Sequence, residues 1–416
     1  MKEKVLTSES QGPQQRILTV GSALAASITS VLDAVPGSPS GPVDLAKTLS
    51  IDKVLASRLL KAGSRQDPLA YLHLTPGPEP LRRFLRAARR KQVAPNLIQQ
   101  AEQEVAAFEA MIRREAGDRS ALDAILSGWL PEARAEFELR RKQAAFRAIS
   151  QLKGVSVATN LATVLLHPSA DGMHLDVVWV FGLFGLQRLR PGCTVKLASR
   201  RLTEANGPRL PQTLSGESVE DLNGLRLERF CSSPQTQLHV HAAGDTVHYT
   251  LADAGFGPRS ATDVVLVETN FREMARELPA GSTRKRHVFA EVNLPSKLLV
   301  FDALLHEDAW PTREPALHLY DTSFEGVADV NNPAHNLNRL DLRESIQPLG
   351  RGMANVRTID VPRYAELLSD VFGALGWDPE VFRAYRCRID YPLHGSQVVM
   401  AWPPPVVPPS AGKATE

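Results

Sequence analysis

Cysteine is scarce. Cys193, Cys231 and Cys387 are the only three in 416 residues, far apart and without a Cys-x-x-Cys pair. That usage excludes a disulfide scaffold and fits reduced thiols in a cytoplasm, the expected location. Long apolar runs are missing too. The nearest, "VVWVFGLFGL" from Val177 to Leu186, is about half the roughly 18–20 residues that a membrane-spanning helix needs and reads as buried core. The opening "MKEKVLTSESQGPQQR" is polar and contains acids, and no small-residue cleavage site follows an apolar core, so a secretory leader is not expected. Catalytic signatures are equally sparse. There is no Gly-x-Ser-x-Gly, no Gly-x4-Gly-Lys-Ser/Thr, no Gly-x-Gly-x-x-Gly after a strand and no His-Glu-x-x-His, and the cysteines have no local catalytic context. No cofactor and no catalytic residue is therefore assigned, although a triad assembled in space would leave no local motif.

What remains is a globular chain, 43% hydrophobic and 23% charged, long enough for two or three domains. The net charge of +2 conceals an uneven distribution. Between Ser40 and Lys91 stand Lys47, Lys53, Arg58, Lys61, Arg65, Arg82, Arg83, Arg86, Arg89, Arg90 and Lys91, against only Asp44, Asp52, Asp67 and Glu79. A basic module on a nearly neutral remainder suggests an anionic partner, most commonly nucleic acid.

Periodicity divides the chain further. Residues 1–13 read as disordered. Gln15 to Val35 is apolar at helical spacing, and "PGSPSGP" (Pro36 to Pro42) is a loop. Leu69 to Thr75 ("LAYLHLT") reads as a strand, followed by a turn and a strongly basic helix from Pro78. Helices are expected over Ala94–Ala116, Arg119–Ser127 and Glu132–Leu152. In the last, Phe137, Arg141, Ala145 and Ile149 recur every four residues, as in helices that pair protomers or pack internally. After Val155 come short runs typical of a mostly β, sandwich-like body: "HLDVVWVF", "CTVKLA", "LRLERF", "DVVLVE", "HVFAEVNL", "KLLVFDALL", "ALHLYD", "RCRIDYPL" and "QVVMAW". "HVHAAGDTVHYTL" reads as a hairpin turning at "AAGD", and Pro362–Leu375 and Pro379–Tyr385 as two helical pieces. The tail "PPPVVPPSAGKATE" is proline-rich and expected to be unfolded.

The stretch "VDLAKTLSIDKVLASRLLKA" (Val43 to Ala62) holds two helical bursts broken at Ser50 and Ile51. Leu45, Leu49, Ile51, Ala56 and Leu59 are apolar, and Ala46 is the small residue that closely crossing helices need. The pattern resembles the helix-turn-helix of bacterial transcription regulators. With the flanking helices and the strand it resembles the winged form over residues 15–92, lacking an obvious second wing strand. The family usually has glycine at the turn, where this chain has Ser50. Asp52 would cap the second helix or complement its dipole. The resemblance implies that Asp52–Ala62 is a recognition helix, with Lys53, Ser57 and Arg58 at base edges or phosphates. Lys47 and Lys61 join them as DNA contacts. Arg82, Arg83, Arg86, Arg89 and Arg90 form a helix face suited to the phosphate backbone. Such a face can also be merely solvated, and similar tri-helical units serve as dimerisation modules in small-molecule O-methyltransferases.

Two further clusters carry candidate chemistry. His239 and His241 share a strand face, and His248 on the partner strand would approach them. Three imidazoles can hold a metal, but no carboxylate stands at a ligand spacing and the cupin pattern is not matched, so no metal is assigned. "HED" at His306–Asp308 is as well explained by a surface loop. The expectation is thus an α+β multidomain chain. It comprises an all-α winged helix-turn-helix (15–92), a helical linker or dimerisation region (93–153), a mostly β body with some helices (154–402) and a proline-rich tail (403–416). Its expected role is that of a DNA-binding transcriptional regulator acting on double-stranded DNA as a homodimer. The body would sense a small-molecule or protein effector or drive oligomerisation, with no membrane partner. The alternatives are an enzyme whose helical head only dimerises, and a structural or assembly protein.

Overall fold

Proline starts most of the helices in the first part of the chain. The computed structural model describes residues 12–37, 39, 41–201, 212–219, 222–232, 238–243, 246–251, 255–279, 281–310 and 314–404. The expected disorder before residue 12 and the tail beyond 404 lie outside them. Six helices open on proline at the first turn: α1 (Pro13–Asp33), α2 (Pro42–Leu49), α4 (Pro68–Leu74), α5 (Pro78–Arg90), α6 (Pro95–Met111) and α8 (Pro131–Lys153). Proline suits that position because its missing N–H would have no helical partner there. The other two, α3 (Lys53–Gly63) and α7 (Arg119–Trp129), open on an aspartate cap, Asp52 and Asp118, each accepting from the backbone N–H three residues on.

The same grammar overturns one expectation. Leu69 to Thr75 is not a strand but helix α4, ending at the cap Thr75. Asp67 caps it through the Ala70 N–H at 2.9 Å, and Pro68 follows. Leu69, Tyr71 and Leu72 turn inward. The cap and the proline outweigh the β-like alternation. Among its described residues this part of the chain is wholly helical up to Lys153, so the wing is not formed.

The chain divides into two compact units, Met1–Glu138 and Leu139–Glu416. In the first, one apolar core runs from Ile17 on α1 through Leu45, Leu59, Leu72, Phe84 and Phe108 to Leu126 on α7. Helices α6 and α7, read from sequence as linker, therefore belong to the head itself, and the division falls inside α8. Helix α1 is long and apolar enough to cross a membrane by length and composition. Its apolar residues Ile17, Leu24, Ile28 and Val31 are committed to this core.

The strands of the second unit follow Gly154, where α8 meets β1 (Val155–Pro168). Its φ of +71° is left-handed, and a Cβ there would lie 2.1 Å from the Cys193 sulfur, so only glycine fits. Next come β2 (His174–Arg188), β3 (Val195–Arg201), β4 (Leu238–Ala243), β5 (Thr246–Leu251), β6 (Thr262–Ala275), β7 (Arg286–Glu291), β8 (Ser296–His306) and β9 (Ala316–Asp321). The last elements are β10 (Ile346–Arg351), the short α9 (Met353–Val356), α10 (Tyr364–Leu375), β11 (Phe382–Asp390) and β12 (Ser396–Trp402). A six-stranded sheet runs in the order β10-β11-β8-β1-β2-β6. It is antiparallel except between β1 and β8. One face packs on the three-stranded sheet β7-β12-β9 through Phe301, Tyr385, Met400 and Trp402. The other packs on α10 through Leu165, Val180, Val300 and Leu367. A third sheet, β3-β5-β4, completes the unit. Leu225–Phe230, read as a strand, instead contributes to two 3-10 turns, Leu222–Leu225 and Glu228–Phe230, and Pro379–Tyr385 is a 3-10 turn leading into β11 rather than a helix. In both places isolated apolar residues had set the reading, and pairing to the large sheet decided the outcome.

A polar row crosses the middle of this apolar sheet. Thr163 on β1, Asp302 on β8 and Arg386 on β11 stand in register on three adjacent strands. Arg386 donates to both Asp302 oxygens at 2.8 and 2.7 Å, and the Tyr364 hydroxyl of α10 donates to Asp302 at 2.7 Å. Thr163 and Tyr364 share a further bond of 2.8 Å. Burial and the facing carboxylate push the Tyr364 hydroxyl well above its ordinary pKa, so it remains a donor.

Buried imidazoles give this unit an acid limit. Burial, then Arg339 and Lys285, push His318 on β9 down to about 4, and burial likewise lowers His167, His287 and His394. In the unfolded chain such groups take up protons near pH ~6.5. The unfolded state therefore binds more protons, and stability falls as pH drops from there towards the folded values. The urea midpoint is expected to decline between about pH 6.5 and 4, and His318→Leu should flatten that decline. A midpoint unchanged across this range would refute the assignment.

Candidate nucleic-acid interface

The geometry of the head depends on Ser50. It closes α2 in the left-handed region, φ 52° and ψ 48°, with its N–H on the carbonyls of Ala46 and Lys47. This is the backbone state that glycine adopts without strain and that costs an L-residue roughly 1–2 kcal/mol. The chain reverses here, Ile51 N–H bonds back to the Ala46 carbonyl at 3.1 Å, and Asp52 starts α3 by accepting from Leu55 N–H at 2.7 Å. Serine thus holds a left-handed position that glycine would adopt without strain. Ser50→Gly is expected to raise the stability of the head by about 0.5–1 kcal/mol and Ser50→Val to lower it by more. Thermal unfolding of the two variants checks this, and equal shifts of the same sign would contradict it.

Leu55, Ala56, Leu59 and Ala62 bury one side of α3, which leaves Lys53, Val54, Arg58 and Lys61 exposed and Ser57 half-buried. Lys53, Ser57 and Lys61 are four residues apart and share a stripe. No ion pair engages Lys47, Lys53 or Lys61 among the described residues. Val54 is 70% exposed, an apolar side chain among these polar ones. Arg58 is differently placed: its Nη2 donates to the Thr75 carbonyl at 3.0 Å, at the end of α4. Part of its function is therefore to satisfy an open helix terminus.

The basic helix α5 is more neutral than its sequence. Phe84, Leu85, Ala87 and Ala88 turn inward and force the arginines onto the surface. There Arg82 pairs with Glu109, Arg83 with Asp52 at 3.4 Å, Arg86 with Glu79 at 2.8 Å and Arg89 with Glu102 at 2.8 Å. Two of these partners, Glu102 and Glu109, lie on α6, outside the stretch whose charge had been counted. Exposed pairs of this kind are screened by solvent and contribute little, so an external anion can displace them at small cost. Arg90, exposed at the end of α5, makes no ion pair among the described residues.

No family model matches this chain, no curated protein matches it, and no solved structure matches it.

The histidine group resolves into ordinary strand contacts. His241 faces His248 across the β4–β5 pair and bonds the Thr250 hydroxyl at 3.1 Å. The turn at residues 244–245 lies outside the described residues. Among the described residues no three His, Cys, Asp or Glu side chains converge as a metal site requires. At "HED", His306 Nδ1 accepts from the Asp308 backbone N–H at 3.1 Å, and the ring packs edge-on against His167, 4.7 Å between centroids.

Sequence reading missed a cavity in the second unit. It has a volume of about 620 Å³ and lies over β1, β2 and β6 beside the edge strand β7. Its lining includes Trp179, Phe181, Glu268, Asn270 and Glu291. These residues are up to about 110 positions apart, and only sheet register joins them. The one local hint was the alternation of Trp179 and Phe181 on a single strand face.

Proposed function

We propose that this chain is a DNA-binding regulator whose helical head lays α3 in the major groove. The observation that carries the reading is the left-handed turn at Ser50, which projects α3 with Lys53, Val54 and Lys61 exposed on one side. Lys53 and Ser57 lie near the N-terminal end of α3, the end that contacts base edges in helix-turn-helix proteins. Lys47, Lys53, Lys61 and Arg90 supply charge for phosphates, and the α5 arginines Arg82, Arg83, Arg86 and Arg89 exchange their internal carboxylates for backbone phosphates on binding. Arg58 braces α4 and contributes its remaining donors. Because the wing is not formed, the second contact to the duplex is assigned to α5. Acting as a homodimer, two such heads would read half-sites about one helical turn apart. The second unit is the sensing body in this reading.

The test is fluorescence anisotropy with labelled genomic duplexes at 50 and 200 mM salt, on the wild-type chain and on Lys53→Ala/Lys61→Ala. Salt-sensitive binding that weakens in the double variant supports the reading. Absence of binding at 50 mM salt refutes it.

A further inference from the structure

The cavity of the second unit has a chemistry of its own. Its floor is one face of the large sheet, where Trp179 and Phe181 of β2 alternate and stack at 5.5 Å between centroids, 7° from parallel. Phe181 remains 39% exposed despite its size. Glu268 of β6 stands directly opposite Trp179 in the strand register, so the two side chains leave neighbouring positions on the cavity wall, cross-strand partners having Cβ atoms roughly 5 Å apart. Asn270 Nδ2 bonds Glu268 at 3.4 Å and steadies it. Farther along the wall are Glu273 and Glu291, and burial raises the Glu291 carboxyl above the ordinary carboxylate range while Asn293 hydrogen-bonds it. The described lining therefore holds three carboxylates and no lysine, arginine or histidine, and most of the rest is apolar.

From this juxtaposition we propose that the cavity binds a small organic cation, an ammonium carried on a flat apolar body. The charge lies over Trp179 beside Glu268, and the body lies along Phe181 and the leucines of the wall. Aromatic faces attract cations through the ring quadrupole, and indole does so best. A facing carboxylate adds charge complementarity. The volume falls within the roughly 300–1,000 Å³ range of small-molecule sites. As the effector site of a regulator this assignment rests on the function proposed above. As a ligand site it does not, because it is read with no DNA present.

The experiment is isothermal titration of the full chain with three probes of matched shape: phenethyltrimethylammonium, 3,3-dimethylbutylbenzene as its neutral isostere, and 3-phenylpropionate. The cation should bind at least about tenfold more tightly than the neutral probe, with no measurable binding of the carboxylate. Trp179→Leu and Glu268→Gln should each weaken the cation about tenfold, and Phe181→Leu should weaken both the cation and the neutral probe. Equal affinity for the neutral probe, preference for the carboxylate, or no binding of the cation to the wild-type chain overturns the proposal. DNA binding with no cation binding would leave the head's reading standing and remove only this one.

Discussion

Asp302→Ala is expected to destabilise the second unit by about 3–5 kcal/mol, read as a large drop in its urea midpoint or as failure to fold. Asp302 is fully buried and Arg386 only 7% exposed. Deleting the carboxylate leaves a guanidinium enclosed in an apolar sheet with two of its donors unsatisfied. It also removes the Tyr364 hydroxyl's bond to Asp302 and leaves only the one it shares with Thr163, which is why α10 should loosen in the same variant. Burial alone pushes the Asp302 carboxyl up, and the Arg386 bonds oppose that shift. Removing Arg386 instead should therefore be tolerated somewhat better, because the acid can then take up a proton. Tyr364→Phe removes one donor and should cost only about 1 kcal/mol. The decisive control is Asp302→Leu with Arg386→Met. An apolar pair of similar volume should recover most of the loss, since a buried pair returns little beyond its own desolvation. If Asp302→Ala costs under about 1 kcal/mol, the polar row does not hold the sheet and helix together.

If the head binds DNA as proposed, salt should dominate that binding. If Lys47, Lys53, Lys61 and Arg90 meet four phosphates, the slope of log affinity against log salt is about −3.6 per head, and a rise from 50 to 200 mM weakens binding roughly 150-fold. Each α5 arginine that gives up its internal carboxylate for a phosphate makes the slope steeper. Lys53→Ala/Lys61→Ala should reduce its magnitude by about 2, because each phosphate-contacting lysine accounts for close to one unit. Val54→Ser separates specificity from charge, since it should leave the slope unchanged while relaxing the preference at one base pair. A double variant with an unaltered slope would remove α3 from the interface even if the chain still bound DNA through another surface.

Much of the helical head was legible because its signals are local. Prolines and aspartates mark where helices start, and apolar residues three and four apart mark the faces that turn inward. Helices α1, α3, α6 and α7 follow from these within a few residues. The failure at Leu69–Thr75 has a simple origin: seven residues alternate as well as they spiral, and the cap at Asp67 was the better guide. Strands β1 and β10 went unseen. β1 is central and buried on both faces, and it carries Asn160, Thr159 and Thr163 in place of a clean alternation. β10 is an edge strand, largely exposed, that includes Pro348 and Gly350.

By itself, the sequence determined the helical part up to Lys153, the bend at Ser50, the identity of the outward residues on α3 and the β character of the part that follows. Each depends on neighbours within a few positions. Tertiary structure alone decided that Arg82, Arg83, Arg86 and Arg89 meet carboxylates, that Arg58 binds a helix end, and that Thr163, Asp302 and Arg386 align. It also placed Trp179 opposite Glu268. Those outcomes depend on which strands become neighbours and in what register. A one-residue slip would send every one of those strand side chains to the opposite face, and no local pattern records that choice.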